Sequence, residues 1–374
     1  MPSRLGLNLV QQLMGWDDAR ATEEFSWLRL MSELKYDGYS DYRAGSRFVE
    51  ALSIWLRQFE PKDRETAYRF VRNRLVYIST AEMNRLVEAF VPEHVTPRLR
   101  HAVAKEAGIG AHEVWATERT AAAYRTALRR TLFVGLSDGS KIDILRRANP
   151  TMSTDQFVPM LHIDSAKWED LAAELTKDLD DPTATFDRVY LIDDFTASGT
   201  TFIREVEGKW KGKLWKFKEL VKAARQSLGD QLPLVTGHSV HIHHHVSTHQ
   251  ARTVIEERID TAVPQWADVT FGTVTVSEGM KLPPEVTLDE ERDADFLRLC
   301  DEHYNADLHI RLGRHVRESG LDDLRLGYGG CALPLVLEHN TPNNSVPLVW
   351  SWEEPSENGP MMRPLFRRRD RHGN

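Results

Sequence analysis

Apolar positions in the first third of the chain recur every three or four residues, the spacing of an amphipathic helix. Between positions 48 and 59 they fall on one helical face, and Pro61 ends the segment. Ser79 and Glu82 stand directly before another apolar run, a pattern typical of a capping box at a helix start. No strand pattern interrupts this region. The sequence therefore predicts a helical cap or bundle over residues 1–128.

The middle of the chain alternates short apolar runs with helical segments. Such alternation is typical of a mostly parallel sheet covered by helices on both faces. We therefore expect an α/β core over residues 129–285. The apolar runs predict strands at 131–136, 157–161, 188–193, 239–247 and 268–276.

The last part of the chain predicts a helix at about 289–319, a strand at 332–337 and an extended segment at 346–350. We expect residues 286–374 to complete the core or to form a hood over it, and to end in a basic tail. The arginines of that tail are predicted to be solvated, with an RNA contact as the alternative. They are Arg363 and those at 367–371.

Composition narrows the class of protein. The chain has 374 residues, 41% hydrophobic and 28% charged, which is ordinary for a globular protein with a sizeable core. Its net charge of −8 argues against a protein that coats nucleic acid. Cys300 and Cys331 form neither a disulfide framework nor a zinc spacing, so we expect a cytoplasmic protein. No run suits a signal peptide or a membrane span, so no membrane partner is expected. These patterns predict no oligomeric state.

The chemistry concentrates in residues 189–201, VYLIDDFTASGTT. The apolar run 189–192 places Asp193 and Asp194 at the carboxyl end of a strand, where open parallel sheets bind ligands. A small polar turn follows and is expected to open a helix near Thr200, whose free amides would favour a phosphate. Two carboxylates beside a phosphate site make sense if they face a ribose diol. The alternative is an ordinary strand, turn and helix with a capping aspartate.

The same stretch resembles the phosphoribosyl pyrophosphate signature of type I phosphoribosyltransferases over its whole length. The resemblance implies that Asp193 and Asp194 contact the ribose 2′ and 3′ hydroxyls as catalytic residues. It also implies that the turn holds the 5′-phosphate. The residues of that turn are Thr196, Ala197, Ser198, Gly199, Thr200 and Thr201.

A second loop fits the same family. It follows the strand predicted at 131–136 and precedes a helix, so its amides and Lys141 are expected to bind pyrophosphate. A capped turn without a ligand is the alternative. The loop residues are Ser137, Asp138, Gly139, Ser140 and Lys141. The resemblance implies a Mg²⁺ ion held with the substrate pyrophosphate, with no metal site made by protein side chains alone.

One departure from the family is the mobile hood loop that its catalytic members carry. Residues 152–167 would have to serve, and a strand-pair hood is hard to place there. Binding of phosphoribosyl pyrophosphate or a nucleotide is therefore better supported than transfer chemistry at ribose C1. A non-catalytic nucleotide sensor or partner-binding module is the alternative function.

Further residues are candidates for base or ribose recognition. Asn343 and Asn344 follow Pro342 in a predicted turn, and His245 lies near the carboxyl end of the strand predicted at 239–247. The neighbouring histidines alternate along that strand, which argues against one shared zinc ion. The five lysines at 209–218, interleaved with aromatic residues, predict a solvated segment with inward-packed rings; a single-stranded nucleic-acid surface is the alternative.

Stretches spread along the chain, such as FVGLSDGSKIDILRR and GYGGCALPLVLEHNTPNNSVPLVW, also resemble the phosphoribosyltransferase-like proteins of bacterial conflict systems. That resemblance implies an antiviral defence role, with a protein or RNA partner.

Overall fold

A computed structural model describes residues 4–42, 47–266, 268, 271–312 and 323–368. Contacts divide the chain into two compact units. The sheet unit is Asn84–Leu282. The discontinuous unit combines Met1–Met83 with Pro283–Asn374.

Short and long strands both occur along the chain. They are β1 (Val76–Ile78), β2 (Thr131–Gly135), β3 (Phe157–Pro159), β4 (Phe186–Thr196), β5 (Arg204–Val206), β6 (Lys209–Lys211), β7 (Leu234–Thr248), β8 (Val274–Leu282) and β9 (Leu335–Leu337).

The helices outnumber the strands. They are α1 (Arg4–Met14), α2 (Asp18–Leu34), α3 (Phe48–Leu56), α4 (Arg64–Asn73), α5 (Thr80–Phe90), α6 (Thr96–Ala107), α7 (Glu118–Arg129), α8 (Ile142–Ala148), α9 (Ser165–Leu179), α10 (Lys213–Leu228), α11 (His249–Ala262), α12 (Glu290–Glu302), α13 (Asp307–Arg311) and α14 (Pro347–Trp350). Within the described ranges, none is both long enough and apolar enough to cross a bilayer.

The sheet unit contains five parallel strands in the order β3-β2-β4-β7-β8. Leu191 and Ile242 face a core shared with α9, α10 and α11. On the other face, Phe133 and Tyr190 pack with Phe90 of α5 and further residues of α6 and α7. Burial on both faces explains the continuous apolar runs within β2 and at 189–192 of β4. The predicted α/β fold, a mostly parallel sheet flanked by helices with a helical N-terminal region, is confirmed.

The unit boundaries fall at 83/84 and 282/283, whereas the sequence predicted 128/129 and 285/286. The difference arises because α5, α6 and α7 bury their apolar stripes against the sheet. Periodicity shows that a helix has an apolar stripe, but it does not show what covers that stripe.

The discontinuous unit joins the two ends of the chain. Phe70 of α4 stacks on Phe296 of α12 with ring centroids 3.8 Å apart. Arg74 donates to both carboxylate oxygens of Asp293 at 2.8 and 3.0 Å, a bidentate pair. β1 pairs in parallel with β9. The expectation that the first region lacks strands was wrong, because β1 is too short to show alternation.

Several local predictions can be compared with the structure. The capping box is confirmed: Glu82 Oε2 accepts from the Ser79 amide at 2.8 Å, and Ser79 Oγ accepts from the Glu82 amide at 3.3 Å. The last strand of the sheet begins later than predicted, at Val274. The segment at 346–350 was predicted to be extended, but most of it forms α14. Positions 269–270, 313–319 and 369–374 of the predicted strand, helix and tail lie outside the described residues.

The prediction that a helix begins near Thr200 was wrong. A β5–β6 hairpin follows the turn, and α10 begins only at Lys213. Glu207 and Gly208 both have positive φ, 52° and 71°, as a tight hairpin turn with right-handed strand twist requires. Glu-Gly is a weak form of that signal, which is why the sequence did not reveal the hairpin.

Gly212 fixes where α10 begins. Its φ is 112°, and an added Cβ would overlap the Phe202 carbonyl. At the other end of α10, Gly229 has a φ of 54° and open space around its missing Cβ.

We expect Gly212→Ala to lower the free energy of unfolding by about 3 kcal/mol or more, because backbone strain and a backbone collision add. Gly229→Ala is the control and should cost less, about 1–3 kcal/mol, from backbone strain alone. Chemical denaturation of both variants measures the difference. Equal losses would show that the contact with Phe202 does not constrain the helix start.

Candidate functional site

The strand order identifies one edge of the sheet as the place for a ligand. Strands on opposite sides of the β2–β4 pair are connected in opposite directions, which makes this pair the topological switch point. In open α/β sheets, ligands bind outside the carboxyl ends of the strands at such a point. Both loops singled out by the sequence, 137–141 and 196–201, begin there.

The loop after β2 contacts the two aspartates directly. Ser137 Oγ donates to Asp193 Oδ1 at 2.6 Å. Gly139 lies against the carboxylate of Asp194, and an added Cβ would overlap Asp194 Oδ2. A side chain at position 139 would displace the Asp194 carboxylate. The structure therefore brings the predicted pyrophosphate loop and the acidic pair into one site.

Asp193 lies inside the protein, with 2% of its surface exposed. Lys213 Nζ, from the start of α10, bonds Asp193 Oδ2. Burial raises the pKa of Asp193 to about 6, against the opposing effect of Lys213 and with a further contribution from Asp194. This carboxylate already has two protein partners.

Asp194 is half-buried rather than buried. Successive residues of a strand point to opposite faces, so the side chains of Asp193 and Asp194 contact different parts of the protein. Asp193 faces the α10 side, and Asp194 faces the loop at Gly139. The predicted contact of both carboxylates with one ribose diol stays a prediction. Ser137 of the loop bonds Asp193, and Asp194 is the less buried of the two carboxylates.

Lys213 is the site residue that the sequence did not single out. It is one of the five lysines at 209–218, and its residue type does not distinguish it from the other four. Its position as the first residue of the helix that follows the acidic motif would have indicated a place near Asp193. Because the hairpin was not foreseen, that position was not recognised.

The turn after β4 is largely buried and internally hydrogen-bonded. Ala197, Ser198 and Gly199 are buried, Thr200 is half-buried and Thr201 is exposed. Gly199, with φ of 73°, accepts from two following backbone amides through its carbonyl.

Helix α10 directs its first two amides to backbone carbonyls, one of which belongs to Thr201 in this turn. Its first amides, those of Lys213 and Leu214, donate to the carbonyls of Thr201 and Phe202 at 3.3 and 3.1 Å. The sequence expected a helix N-terminus to face the phosphate, and this expectation was wrong. A ligand at this turn would meet Thr200 and Thr201 first.

Burial lowers the pKa of the β7 histidines, which are buried apart from half-buried His241. His245 Nε2 lies 3.1 Å from the Ser140 carbonyl oxygen, which ties β7 to the loop after β2. Burial lowers the pKa of His245 to about 4 and that of His244 to about 3. His243 Nδ1 lies 3.0 Å from Ser277 Oγ. Across the described ranges, no three His, Cys, Asp or Glu side chains are grouped to hold a metal ion.

Asn343 and Asn344 lie in the discontinuous unit. The Asn344 side-chain amide donates to the Tyr328 carbonyl at 2.8 Å, and the Asn343 carbonyl accepts from the Tyr328 amide. Asn344 thus joins its loop to the backbone at Tyr328. Base recognition by these residues stays a prediction.

The lysine-rich segment at 209–218 forms β6 and the start of α10. Lys218 is buried and pairs with Asp268 at 2.7 Å, and this bond contributes to lowering the pKa of Asp268 to about 2. Trp210 and Trp215 pack against the core under α10. The inward-packed rings predicted for this segment are present, and its charges are partly neutralised within the sheet unit.

Comparison with protein families decides the affiliation. The model of the PRTase-CE family, which is of the phosphoribosyltransferase type, matches residues 52–368. The chain belongs to the PRTase-CE family. No curated protein and no solved structure matches it. The matched residues include both loops at the switch point, 137–141 and 196–201.

The raised pKa of Asp193 makes a pH-dependent prediction. The folded state holds the Asp193 proton up to about pH 6, whereas an unfolded aspartate releases it near pH 4. Stability due to this group therefore falls as pH rises from 4 to 6. Relative to Asp193→Asn, the wild type should lose about 3 kcal/mol over that interval.

Denaturant unfolding of both proteins between pH 3.5 and 7.5 checks this. The control is Asp181→Asn, because hydrogen bonds from Thr183 lower the pKa of Asp181 in the folded state. The wild type should gain stability relative to Asp181→Asn as pH rises through the acid range. A pH-independent difference for Asp193→Asn would contradict the burial argument.

Proposed function

We propose that the crevice outside β2 and β4 binds phosphoribosyl pyrophosphate or a nucleotide. In this pose the ribose hydroxyls meet Asp194, the 5′-phosphate meets Thr200 and Thr201, and the pyrophosphate lies along residues 137–141. The observation that carries the proposal is the contact between Gly139 and Asp194 at the switch point. It joins an acidic group suited to hydroxyls and a glycine loop suited to phosphate in one site.

Magnesium fits the donor set proposed here. Mg²⁺ prefers oxygen ligands and is commonly held by one or two carboxylates together with substrate phosphates. Asp194 would contribute the carboxylate, beside a loop expected to hold pyrophosphate. The ion would neutralise charge on the pyrophosphate oxygens.

The proposed chemistry is substitution at ribose C1. The C1–O bond to pyrophosphate breaks with its electron pair on the leaving oxygen, and a nucleophile donates a pair to C1. Asp194 orients the ribose through its hydroxyls, and the loop at 137–141 with Lys141 stabilises the departing charge. Lys213 keeps the charge of Asp193 compensated while anionic groups bind nearby.

A sensor without turnover is the second candidate. It is favoured by the internal bonding of Asp193 to Lys213 and Ser137, and by the burial of the turn at Gly199. A protein that only binds does not need a second carboxylate at the reacting sugar. The two candidates share the ligand and differ only in whether it is consumed.

The proposal also includes an antiviral role. It rests on the resemblance to conflict-system proteins, and it includes a protein or RNA partner. Expression in bacteria challenged with phage tests it: protection should require an intact Asp194. Equal protection by the wild type and Asp194→Asn would exclude a defence role for this crevice.

Asp194→Asn should weaken binding of Mg²⁺-phosphoribosyl pyrophosphate roughly tenfold or more and abolish any turnover, because a charge-assisted contact is lost. Calorimetry measures binding, and chromatography of the donor with each nucleobase measures consumption. Asp143→Asn, an exposed carboxylate on α8, is the matched control and should bind as the wild type does. Binding with intact ligand recovered supports the sensor. Absence of binding to the donor and to every nucleotide defeats both candidates.

Gly139→Ala changes no charged group, yet it should have nearly the same effect. Its methyl group would occupy the place of the Asp194 carboxylate and force that side chain away. We expect a loss of donor affinity of roughly tenfold, with stability altered by about 1–2 kcal/mol. Gly38→Ala, where no atom lies near the added methyl, is the control. Unchanged affinity in Gly139→Ala would place the ligand elsewhere.

A further inference from the structure

His245 of β7 bonds the loop after β2 across the strand that lies between them. Its Nε2 is 3.1 Å from the carbonyl oxygen of Ser140, and both residues are fully buried, at 0% exposure. A carbonyl oxygen can only accept, so Nε2 carries the proton. The other ring nitrogen, Nδ1, has no hydrogen-bond partner among the described residues. Within those residues, the Ser140 carbonyl is therefore the one hydrogen-bond partner of this imidazole.

The register of the sheet places His245 on the same face as Asp194. Asp193 of β4 pairs with His244 of β7. The next position along each strand turns to the opposite face, so the side chains of Asp194 and His245 share that face. The Asp194 carboxylate lies against Gly139, one residue before the bonded carbonyl. His245 thus reaches the same edge of the crevice as the acidic group and the loop.

Ser140 is held firmly within its loop. Its amide donates to the Ser137 carbonyl at 3.0 Å. Its side chain packs on the end of β2, where a Cβ added to Gly135 would lie 2.5 Å from Ser140 Oγ. The bond from His245 adds a third attachment, through the carbonyl.

Lys141, the next residue, has an unusual backbone conformation. Its φ of 54° and ψ of 33° lie in the left-handed region, which costs a residue with a side chain about 1–2 kcal/mol. Such strain persists only where the surroundings hold it. The Ser140 carbonyl and the Lys141 amide belong to one planar peptide unit, so a bond that fixes the carbonyl also fixes the amide. His245 therefore acts on the backbone at Lys141.

We propose that His245 is a positioning residue that keeps the loop at 137–141 in the shape that binds pyrophosphate. It acts through the Ser140 carbonyl and does not touch the ligand. Without this bond the peptide unit before Lys141 is free to turn, and Lys141 relaxes out of its left-handed conformation. The inference rests on the function proposed for the crevice, and it gives His245 a role other than base or ribose recognition.

The test uses the full chain with Mg²⁺ and three ligands, measured by calorimetry: phosphoribosyl pyrophosphate, pyrophosphate and ribose 5-phosphate. Only the first two carry the group assigned to the loop. His245→Phe keeps a ring and removes the donor. We expect it to weaken binding of the first two ligands roughly tenfold, because the loop is misplaced, and to leave binding of ribose 5-phosphate unchanged. A general loss of structure would weaken all three alike.

Two amide variants test whether the position of the donor matters. The side-chain nitrogen of glutamine can reach the place of Nε2, whereas that of asparagine is one bond too short. His245→Gln should therefore keep most of the affinity for pyrophosphate, and His245→Asn should resemble His245→Phe. This pair decides the question if His245→Phe fails to fold.

His243→Phe is the matched control. His243 is equally buried on the same face, and its Nδ1 lies 3.0 Å from Ser277 Oγ of β8 instead of contacting the loop. This variant also loses one buried hydrogen bond, yet it should bind all three ligands as the wild type does.

Hydrogen exchange of the free protein, followed by mass spectrometry, needs no ligand. The amides at 137–141 should exchange roughly fivefold faster in His245→Phe than in the wild type, the effect of one lost hydrogen bond. His243→Phe should leave their exchange unchanged.

The outcomes separate this inference from the proposed function. If the wild type binds none of the three ligands, the proposed function fails; faster exchange in His245→Phe then still supports the hold on the loop, and unchanged exchange overturns it. If the wild type binds pyrophosphate and His245→Phe binds it equally well, the proposed function stands and the role of His245 is overturned. Equal losses in His245→Gln and His245→Asn overturn it too.

Discussion

A carboxylate buried at the end of a parallel strand must be compensated, and the bonds of Asp193 with Lys213 and Ser137 meet that requirement. These bonds connect the end of β4, the first residue of α10 and the loop after β2. Lys213 reaches Asp193 only because α10 begins where it does, after the β5–β6 hairpin. Gly212 permits that start, since its backbone conformation and its contact with Phe202 exclude a side chain. The geometry of the site thus depends on one charge that the fold has to neutralise.

Because of this constraint, Asp193 and Asp194 have different roles. Asp193 is buried, has a raised pKa and bonds two protein partners, so its main role is structural. Asp194 lies against the glycine loop, where a sugar phosphate would meet both a carboxylate and backbone amides. A ligand with a diol and a phosphate needs both groups at one edge of the sheet. The PRTase-CE affiliation is consistent with that arrangement.

Basic side chains are clustered in one segment of each unit. In the sheet unit, Lys218 and Lys213 of the lysine-rich segment are paired with acidic residues, and its aromatic rings pack inward. In the discontinuous unit, Arg363, Arg367 and Arg368 lie beside tryptophan rings. Residue types left a nucleic-acid surface open as the alternative for the lysine-rich segment, whereas its ion pairs and inward-packed rings favour a structural role.

The sequence by itself determined the strands of the sheet, the fold class and the two loops at its edge. These follow from apolar periodicity and from a local motif, both of which depend on neighbours in the chain. It did not determine the β5–β6 hairpin, the start of α10 or the pairing of β1 with β9. It also did not reveal that Lys213 neutralises Asp193, or that His245 bonds the Ser140 carbonyl. Those features depend on contacts between residues distant in the chain, and only tertiary packing decides which charges become buried and must find a partner.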